Sequence, residues 1–232
     1  WTLLAYVRFI QYNSLGHYAL AVVLCLLSLL SKPMALSLPF ILLLLDWYLR
    51  RKITLLTLFE KLPFAIIAGG IGWITYAQNM RNPISDTASA ALIWIWSCMF
   101  YIWKFLCPVN VYAYYKLPQP VVIFSWEYGG SVVLMLLILC TLWLWRRRRL
   151  FVLAAGFYFF SIFFLLRFDV GIDASIVNDR FMYLPGLGFC ALLGLLAFKL
   201  CRSRIGRVVT AVILILLAVK TNQQCLVWKD TL

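Results

Sequence analysis

The sequence has few charged residues, and acidic ones are especially scarce. Charged residues make up 12% of its 232 positions, hydrophobic residues make up 65%, and only 8 residues are Asp or Glu. This composition lies far from that of soluble domains, and several apolar runs approach the roughly 20 residues that cross a bilayer. The alternating ten-residue segments of a membrane barrel are absent, and continuous aliphatic and aromatic runs occur instead. The sequence therefore predicts an all-α, polytopic helical membrane protein.

Residues that bind metals are also scarce. The chain contains one histidine, His17, and seven scattered cysteines with no Cys-x-x-Cys pair. A zinc site requires several Cys or His side chains at suitable spacing. The sequence thus predicts no zinc site and indicates no cofactor. The cysteines are interpreted as small, buried hydrophobic residues.

Basic residues are numerous and give a formal net charge of +13. They lie in three clusters at the ends of apolar runs, at Arg50–Lys52, Arg146–Arg149 and Lys199–Arg207, rather than in one soluble patch. This distribution is typical of cytoplasmic loops, and it adds affinity for anionic lipid head groups. The sequence predicts the lipid bilayer as a partner and predicts no binding of nucleic acid.

The basic clusters constrain the membrane topology. If all three lie inside, an even number of crossings must separate Lys52 from Arg146, yet three apolar segments lie between them. Ala90–Leu106 is the most aromatic of the three, and Trp and Tyr concentrate at membrane interfaces. We therefore expect it to lie along the outer face or to re-enter from that face. The segments Gln78–Gly130 and Arg167–Arg180 are then expected outside.

The first long apolar region is interrupted at Ser31-Lys32-Pro33. It forms either two short helices that meet at a turn or one long helix that is kinked at Pro33. Asp46, at the end of this region, is interpreted as a residue that caps helix packing at the inner boundary. Residues 1–221 are expected to form one membrane domain, followed by a tail at 222–232. Further spans are predicted at Leu62–Ala77, Ser131–Trp145, Leu150–Leu166, Tyr183–Leu200 and Val208–Val219.

A polar segment, Arg167–Arg180, separates two strongly apolar regions and contains Asp169, Asp173 and Asp179. Charge beside a membrane is costly, so such a segment is a candidate site; the alternative is a solvated loop. Asp169 and Asp173 would share one face of a helix, where paired carboxylates can hold a divalent cation or transfer a proton. Gly171 between them favours a loop in which both are solvated.

Two cations are candidates for binding a phosphate. Arg180 can grip a phosphate through two parallel hydrogen bonds, with Asp179 orienting it; the alternative is that Asn178 or Asp179 caps the helix that follows. Lys32 can contact a lipid-linked phosphate as a point charge. The alternative for Lys32 is a side chain that reaches from a helix turn to water.

Aromatic residues accompany these cations. Tyr183 follows Arg180 closely and can pack along a polyprenyl tail. Tyr114 and Tyr115 lie in the longest segment outside the predicted spans and can stack on a sugar or a peptide. Aromatic residues are also common at the outer interface for other reasons.

Three stretches together carry a resemblance to a known family. Leu29–Asp46 contains Ser-Lys-Pro-Met, then Leu-Pro, an aliphatic run and Asp. Lys61–Phe64 reads Lys-Leu-Pro-Phe, and Asp179–Gly188 reads Asp-Arg-Phe-Met-Tyr-Leu-Pro-Gly-Leu-Gly. In this order they resemble motifs of the transmembrane and tetratricopeptide-repeat O-mannosyltransferases and their bacterial relatives, in the GT-C glycosyltransferase superfamily. Phe181 stands where that family usually has Tyr.

The resemblance implies transfer of a sugar from a polyprenyl-phosphate donor to an acceptor, expected to be a protein, on the outer or lumenal face. Lys32 and Arg180 match family motifs near the presumed donor phosphate, and Asp179 and Tyr183 would support them. The membrane would be the bacterial inner membrane, or the endoplasmic reticulum in a eukaryote. The acidic motif that supplies the family's catalytic base and the soluble repeat domain would both lie beyond the sequence given, so no catalytic residue is named.

Two other functions remain open. The chain can be a non-catalytic membrane anchor or scaffold that presents a repeat domain to a partner complex. It can also be a transporter of lipid-linked saccharides, although such proteins show paired repeats or a charged central path, and neither is evident in the sequence.

Overall fold

The structure is a computed structural model that describes residues 1–78, 87–108, 115–163 and 177–229. Within these ranges the chain is all-helical, as predicted, and contains no strand. The helices are α1 Thr2–Tyr12, α2 Leu15–Ser31, α3 Leu38–Tyr48, α4 Leu55–Phe59, α5 Leu62–Gln78, α6 Thr87–Leu106, α7 Trp126–Leu144, α8 Arg149–Phe163, α9 Gly186–Leu200 and α10 Arg204–Lys229.

Four of the described helical segments are long and apolar enough to cross a membrane. They are Leu55–Gln78, which joins α4 to α5, and the helices α6, α7 and α10. The helices α2, α3, α8 and α9 are apolar but shorter. This length and composition agree with the prediction of an integral membrane protein.

The interruption at Lys32 separates two helices. α2 ends at Ser31, and Lys32 has extended backbone angles (φ −153°, ψ 133°). This is expected for a residue before proline, because the proline ring disfavours the helical region at the preceding position. A 3-10 turn at Pro33–Ala35 then leads into α3. The first alternative, two short helices that meet at a turn, is therefore correct.

The helices α3 and α8 pack antiparallel along most of their length. Three contacts define this pairing: Phe40 with Phe160 at 5.7 Å between ring centres, Leu44 against Gly156, and the Arg149 guanidinium 5.7 Å from the Trp47 ring. The clusters Arg50–Lys52 and Arg146–Arg149 thus lie at the same end of the pair, which we term the basic end. Lys32, before the start of α3, lies toward the opposite end, which we term the far end.

The buried apolar side chains form two clusters. One joins α1, α2, α3 and α5 around Tyr6, Leu42 and Phe64. The other joins α6, α7, α8 and the segment before α9 around Met99 and Tyr158. Two of the cysteines, Cys25 and Cys98, are buried in these clusters. The interpretation as buried residues is wrong for Cys107, Cys140, Cys190 and Cys225, which are exposed, and Cys201 is half-buried.

The described segment that precedes α7 lies against α6. α6 starts near the far end, since Trp94 packs against Phe163 at the end of α8. Beyond α6, Tyr115 returns to Phe100 at 4.8 Å between ring centres. Tyr128, in the first turn of α7, then lies 6.2 Å from the ring of Trp96. α6 also has the length and hydropathy of a span, so its outer or re-entrant position stays a prediction.

Several predicted boundaries differ from the structure. α7 begins at Trp126 rather than at the predicted Ser131, and α10 begins at Arg204 rather than at Val208. The predicted span at Tyr183–Leu200 begins instead at Gly186, because residues 179–182 form a 3-10 turn and Pro185 occupies the cap position of α9. α10 continues through the polar residues after Val219 and ends at Lys229. These residues contain neither Gly nor Pro, the two strongest helix breakers.

Candidate functional site

The Asp179–Met182 turn is attached to α6 through its backbone. The backbone N–H of Asn178 donates to the Tyr101 hydroxyl at 3.0 Å. Val177 is fully buried in the aromatic cluster, and Phe181 and Met182 pack against the same cluster. The turn therefore has a defined position between α6 and the start of α9.

The Asp179 carboxylate is half-buried at this turn. Its Oδ2 accepts a hydrogen bond of 2.7 Å from the Tyr115 hydroxyl, and the Lys104 ammonium lies 5.0 Å from the centre of the Tyr115 ring. Burial raises the pKa of Asp179 above its ordinary value, because it disfavours the charged form. The Tyr115 hydrogen bond and the Lys104 charge act in the opposite direction. We refer to Lys104, Tyr115, Asp179 and Arg180 as the Asp179 site.

The Arg180 side chain is exposed at the edge of this site. Its guanidinium lies 5.5 Å from the Phe181 ring and forms no ion pair with a carboxylate of the described residues. Asp179 therefore bonds to Tyr115 rather than orienting Arg180. The helix-cap alternative is also wrong for α9, because Pro185, and neither Asn178 nor Asp179, is its cap residue. An exposed guanidinium beside an anchored turn can bind an anion through paired hydrogen bonds.

The other predicted site residues do not converge on Arg180 in the described structure. Lys32 is exposed at the turn between α2 and α3, which adjoins the first apolar cluster, whereas Arg180 adjoins the second. Tyr183 is 81% exposed, and its side chain is therefore accessible. Three predicted residues, Tyr114, Asp169 and Asp173, lie outside the described residues. In the described ranges no group of three His, Cys, Asp or Glu side chains could hold a metal.

A second cluster of polar side chains was not predicted from the sequence. The Asp46 carboxylate is fully buried, and the Tyr6 hydroxyl donates its single proton to both carboxylate oxygens in a bifurcated hydrogen bond, at 3.0 Å from each. The Lys61 ammonium lies 2.6 Å from Asp46 Oδ2 and also donates to the Tyr6 hydroxyl. Burial of these charges is tolerated because they are paired and hydrogen-bonded.

Arg51 and Glu60 complete this cluster at the basic end. The Arg51 guanidinium donates to both Glu60 oxygens, at 2.5 and 2.8 Å, and lies 3.8 Å from Asp46 Oδ1. The hydrogen bond to Glu60 raises the pKa of Arg51 above its ordinary value. Lys61 and Arg51 balance the charges of Asp46 and Glu60. We call Tyr6, Asp46, Arg51, Glu60 and Lys61 the charge network.

The described helices enclose at least two cavities. A groove of about 670 Å³ separates α3 from α5 and runs from Lys61 to Leu36, close to the Lys32 turn. A second cavity of about 390 Å³ lies between α1, α3, α8 and α9, and only apolar residues line it. Both can accept an elongated apolar molecule, since neither contains a cluster of polar groups that would hold water.

Comparison of the chain with protein-family models, with curated proteins and with solved structures finds no match.

Proposed function

We propose that the chain is part of a GT-C-like integral membrane glycosyltransferase that moves a sugar from a polyprenyl-phosphate donor to an acceptor, expected to be a protein, on the outer or lumenal face. The observation that carries the proposal is the exposed Arg180 guanidinium. It extends from a turn held by the Asn178–Tyr101 and Asp179–Tyr115 hydrogen bonds. An accessible guanidinium on a turn that is held in place is suited to a phosphate.

The α3–α5 groove supports a lipid-linked donor. It is mainly apolar, and Leu36, which lines it, lies four residues after Lys32. A polyprenyl tail in this groove would place its phosphate near Lys32 at the far end. The structure describes no contact between Lys32 and Arg180, so each is proposed as a separate contact to the donor head group.

The position of Lys32 opposite the basic end supports an outer or lumenal donor site. The contact of Arg149 with Trp47 brings two basic clusters to one end of the α3–α8 pair. Such clusters favour the cytoplasmic side, so the far end would face out. We propose the bacterial inner membrane as the location, with Tyr115, and Tyr114 beyond the described residues, near the acceptor.

Donor binding tests this proposal. The chain is placed in lipid nanodiscs, and the affinity for undecaprenyl phosphate is measured for the natural protein and for Arg180→Ala and Lys32→Ala. Loss of a hydrogen bond to a charged group is expected to weaken binding about tenfold for each variant. Arg202→Ala is a matched control, because the Arg202 guanidinium is also exposed beside a ring, 5.9 Å from Phe198. Unchanged affinity for Arg180→Ala would reject the role of this residue.

One observation favours the alternative of a membrane anchor. α10 has 26 residues, is almost wholly exposed, and packs mainly on α9. A helix with so little packing can present an attached domain without taking part in chemistry. If undecaprenyl phosphate fails to bind the natural protein at all, the anchor becomes the better proposal.

A further inference from the structure

An apolar cavity lies between α1, α3, α8 and α9. Its volume is about 390 Å³, and its lining includes Leu3, Leu45, Leu150 and Ala191. No residue that lines it has a polar side chain. An occupant must therefore be apolar along the part that enters, as an acyl chain is.

The cavity extends from the middle of the α3–α8 pair, at Ile41 and Phe157, to its basic end, at Leu45 and Leu150. Leu150 directly follows Arg149 in the chain, and Leu45 lies two residues before Trp47. The Arg149 guanidinium covers the Trp47 ring at 5.7 Å. The cavity and the arginine cluster are thus adjacent parts of one surface.

The arginines at this edge are available to an anion. All four side chains of Arg146–Arg149 are exposed, and none forms an ion pair with a carboxylate of the described residues. The acidic side chains Asp46 and Glu60 at the same end are already paired with Lys61 and Arg51. The edge of the cavity therefore carries uncompensated positive charge beside Trp rings, as at a membrane interface.

We propose that this cavity binds one anionic phospholipid of the leaflet at the basic end. An acyl chain occupies the cavity, and the phosphate lies against Arg146–Arg149. The combination of an apolar cavity and a basic rim selects a molecule with an apolar chain and an anionic head. The site shares no residue with the proposed donor contacts, so it is independent of the proposed enzyme activity.

Retention of lipid by the purified protein tests the proposal. The protein is taken from nanodiscs that contain equal amounts of phosphatidylglycerol and phosphatidylcholine, and bound lipid is counted by native mass spectrometry. Phosphatidylglycerol is expected to be retained in preference to phosphatidylcholine. Equal retention of the two lipids would overturn the proposal, as would preferential retention of added oleate over phosphatidylglycerol.

Two pairs of variants separate a seated lipid from charge attraction at the surface. Ala191→Trp fills the cavity, and Leu196→Trp is its control on the same helix outside the cavity lining. Arg147→Gln with Arg148→Gln removes two charges from the rim, and Arg202→Gln with Arg204→Gln removes two charges elsewhere. We expect Ala191→Trp and the rim variant each to lower phosphatidylglycerol retention about tenfold or more, and the controls to leave it unchanged.

Any other pattern of lipid retention among these four variants contradicts the proposal. Loss with the rim variant but normal retention in a folded Ala191→Trp protein would indicate adsorption to the arginines alone. Equal loss with the rim variant and its control would indicate a response to net charge. If Ala191→Trp does not fold, as judged by circular dichroism, the smaller replacement Ala191→Leu takes its place. Normal phosphatidylglycerol retention in that folded variant would overturn the seated lipid.

Discussion

Burying Asp46 and Lys61 costs free energy that their pairing must offset. The Lys61 ammonium nitrogen lies 2.6 Å from Asp46 Oδ2, and the Tyr6 hydroxyl hydrogen-bonds to both side chains. Removing one partner of a buried pair leaves an uncompensated charge, which is more costly than removing both. The charge network thus joins α1, the end of α3 and the start of α5 through three side chains.

Replacing Lys61 alone should therefore destabilise the protein strongly. We expect Lys61→Met to lower the free energy of unfolding by about 3–5 kcal/mol, because Asp46 stays buried and loses its nearest cation, which leaves only the Arg51 guanidinium at 3.8 Å. The measurement is a denaturation titration in mixed micelles. Adding Asp46→Asn to Lys61→Met should recover part of the loss. Lys199→Met, at an exposed lysine, is the control and should change stability little.

A loss below about 1 kcal/mol for Lys61→Met, no larger than that of an exposed pair, would show that the network contributes little. A double variant less stable than Lys61→Met alone would contradict the pairing.

The sequence could predict single site residues but not their partners. Asp179 stands out because acidic residues are scarce, and Arg180 stands out as its neighbour in a polar segment. Asp46 stands out at the end of an apolar run. Their contacts depend on tertiary packing: Tyr6 meets Asp46 across 40 positions, and Tyr115 meets Asp179 across 64. No local pattern encodes such pairs, so the charge network was missed and Asp179 was assigned to Arg180 instead of Tyr115.

The individual helices follow from local chemistry. Apolar runs predicted α5 through α9 nearly in place, and Lys32-Pro33 marked a helix boundary because proline restricts its neighbour. The errors occur where the local signal is weak: at the start of α7, where Glu127 and two glycines precede the apolar run, at the 3-10 turn before α9, and along the polar end of α10. The pairing of α3 with α8 could not be predicted, since both helices are apolar on most faces and many packings would satisfy them.

The pairing of α3 with α8 depends on a small residue at their contact. A Cβ atom at Gly156 would lie 2.8 Å from Leu44 Cδ2, the tip of a side chain. We expect Gly156→Val to cost about 1–3 kcal/mol through overpacking, and Leu44→Ala in the same chain to relieve part of that cost. The matched control is Gly194→Val, since nothing lies within 4 Å of a Cβ at Gly194. If Gly156→Val and Gly194→Val lowered the free energy of unfolding equally, the result would contradict close packing between Gly156 and Leu44.

The pairing of the helices constrains how the protein is oriented in the membrane. The antiparallel α3–α8 pair places Arg50–Lys52 and Arg146–Arg149 at one end. Both lie inside only if an even number of crossings connects them. α5, α6 and α7 intervene, and all three qualify as spans by length and composition. One of them must then fail to cross, and the return of Tyr115 to Phe100 favours the prediction that it is α6.

The exposed Cys107, directly after α6, can decide this question. If α6 enters from the outer face and the chain turns back, residue 107 stays accessible from outside; if α6 crosses, residue 107 lies inside. We expect a membrane-impermeant maleimide to label intact cells that carry Cys107 as the only cysteine. Tyr183→Cys should also be labelled from outside, and Ile53→Cys only after permeabilisation, because it adjoins Arg50–Lys52. Labelling of Cys107 only after permeabilisation, with the two reference positions as expected, would make α6 a full span and require another segment to fail to cross.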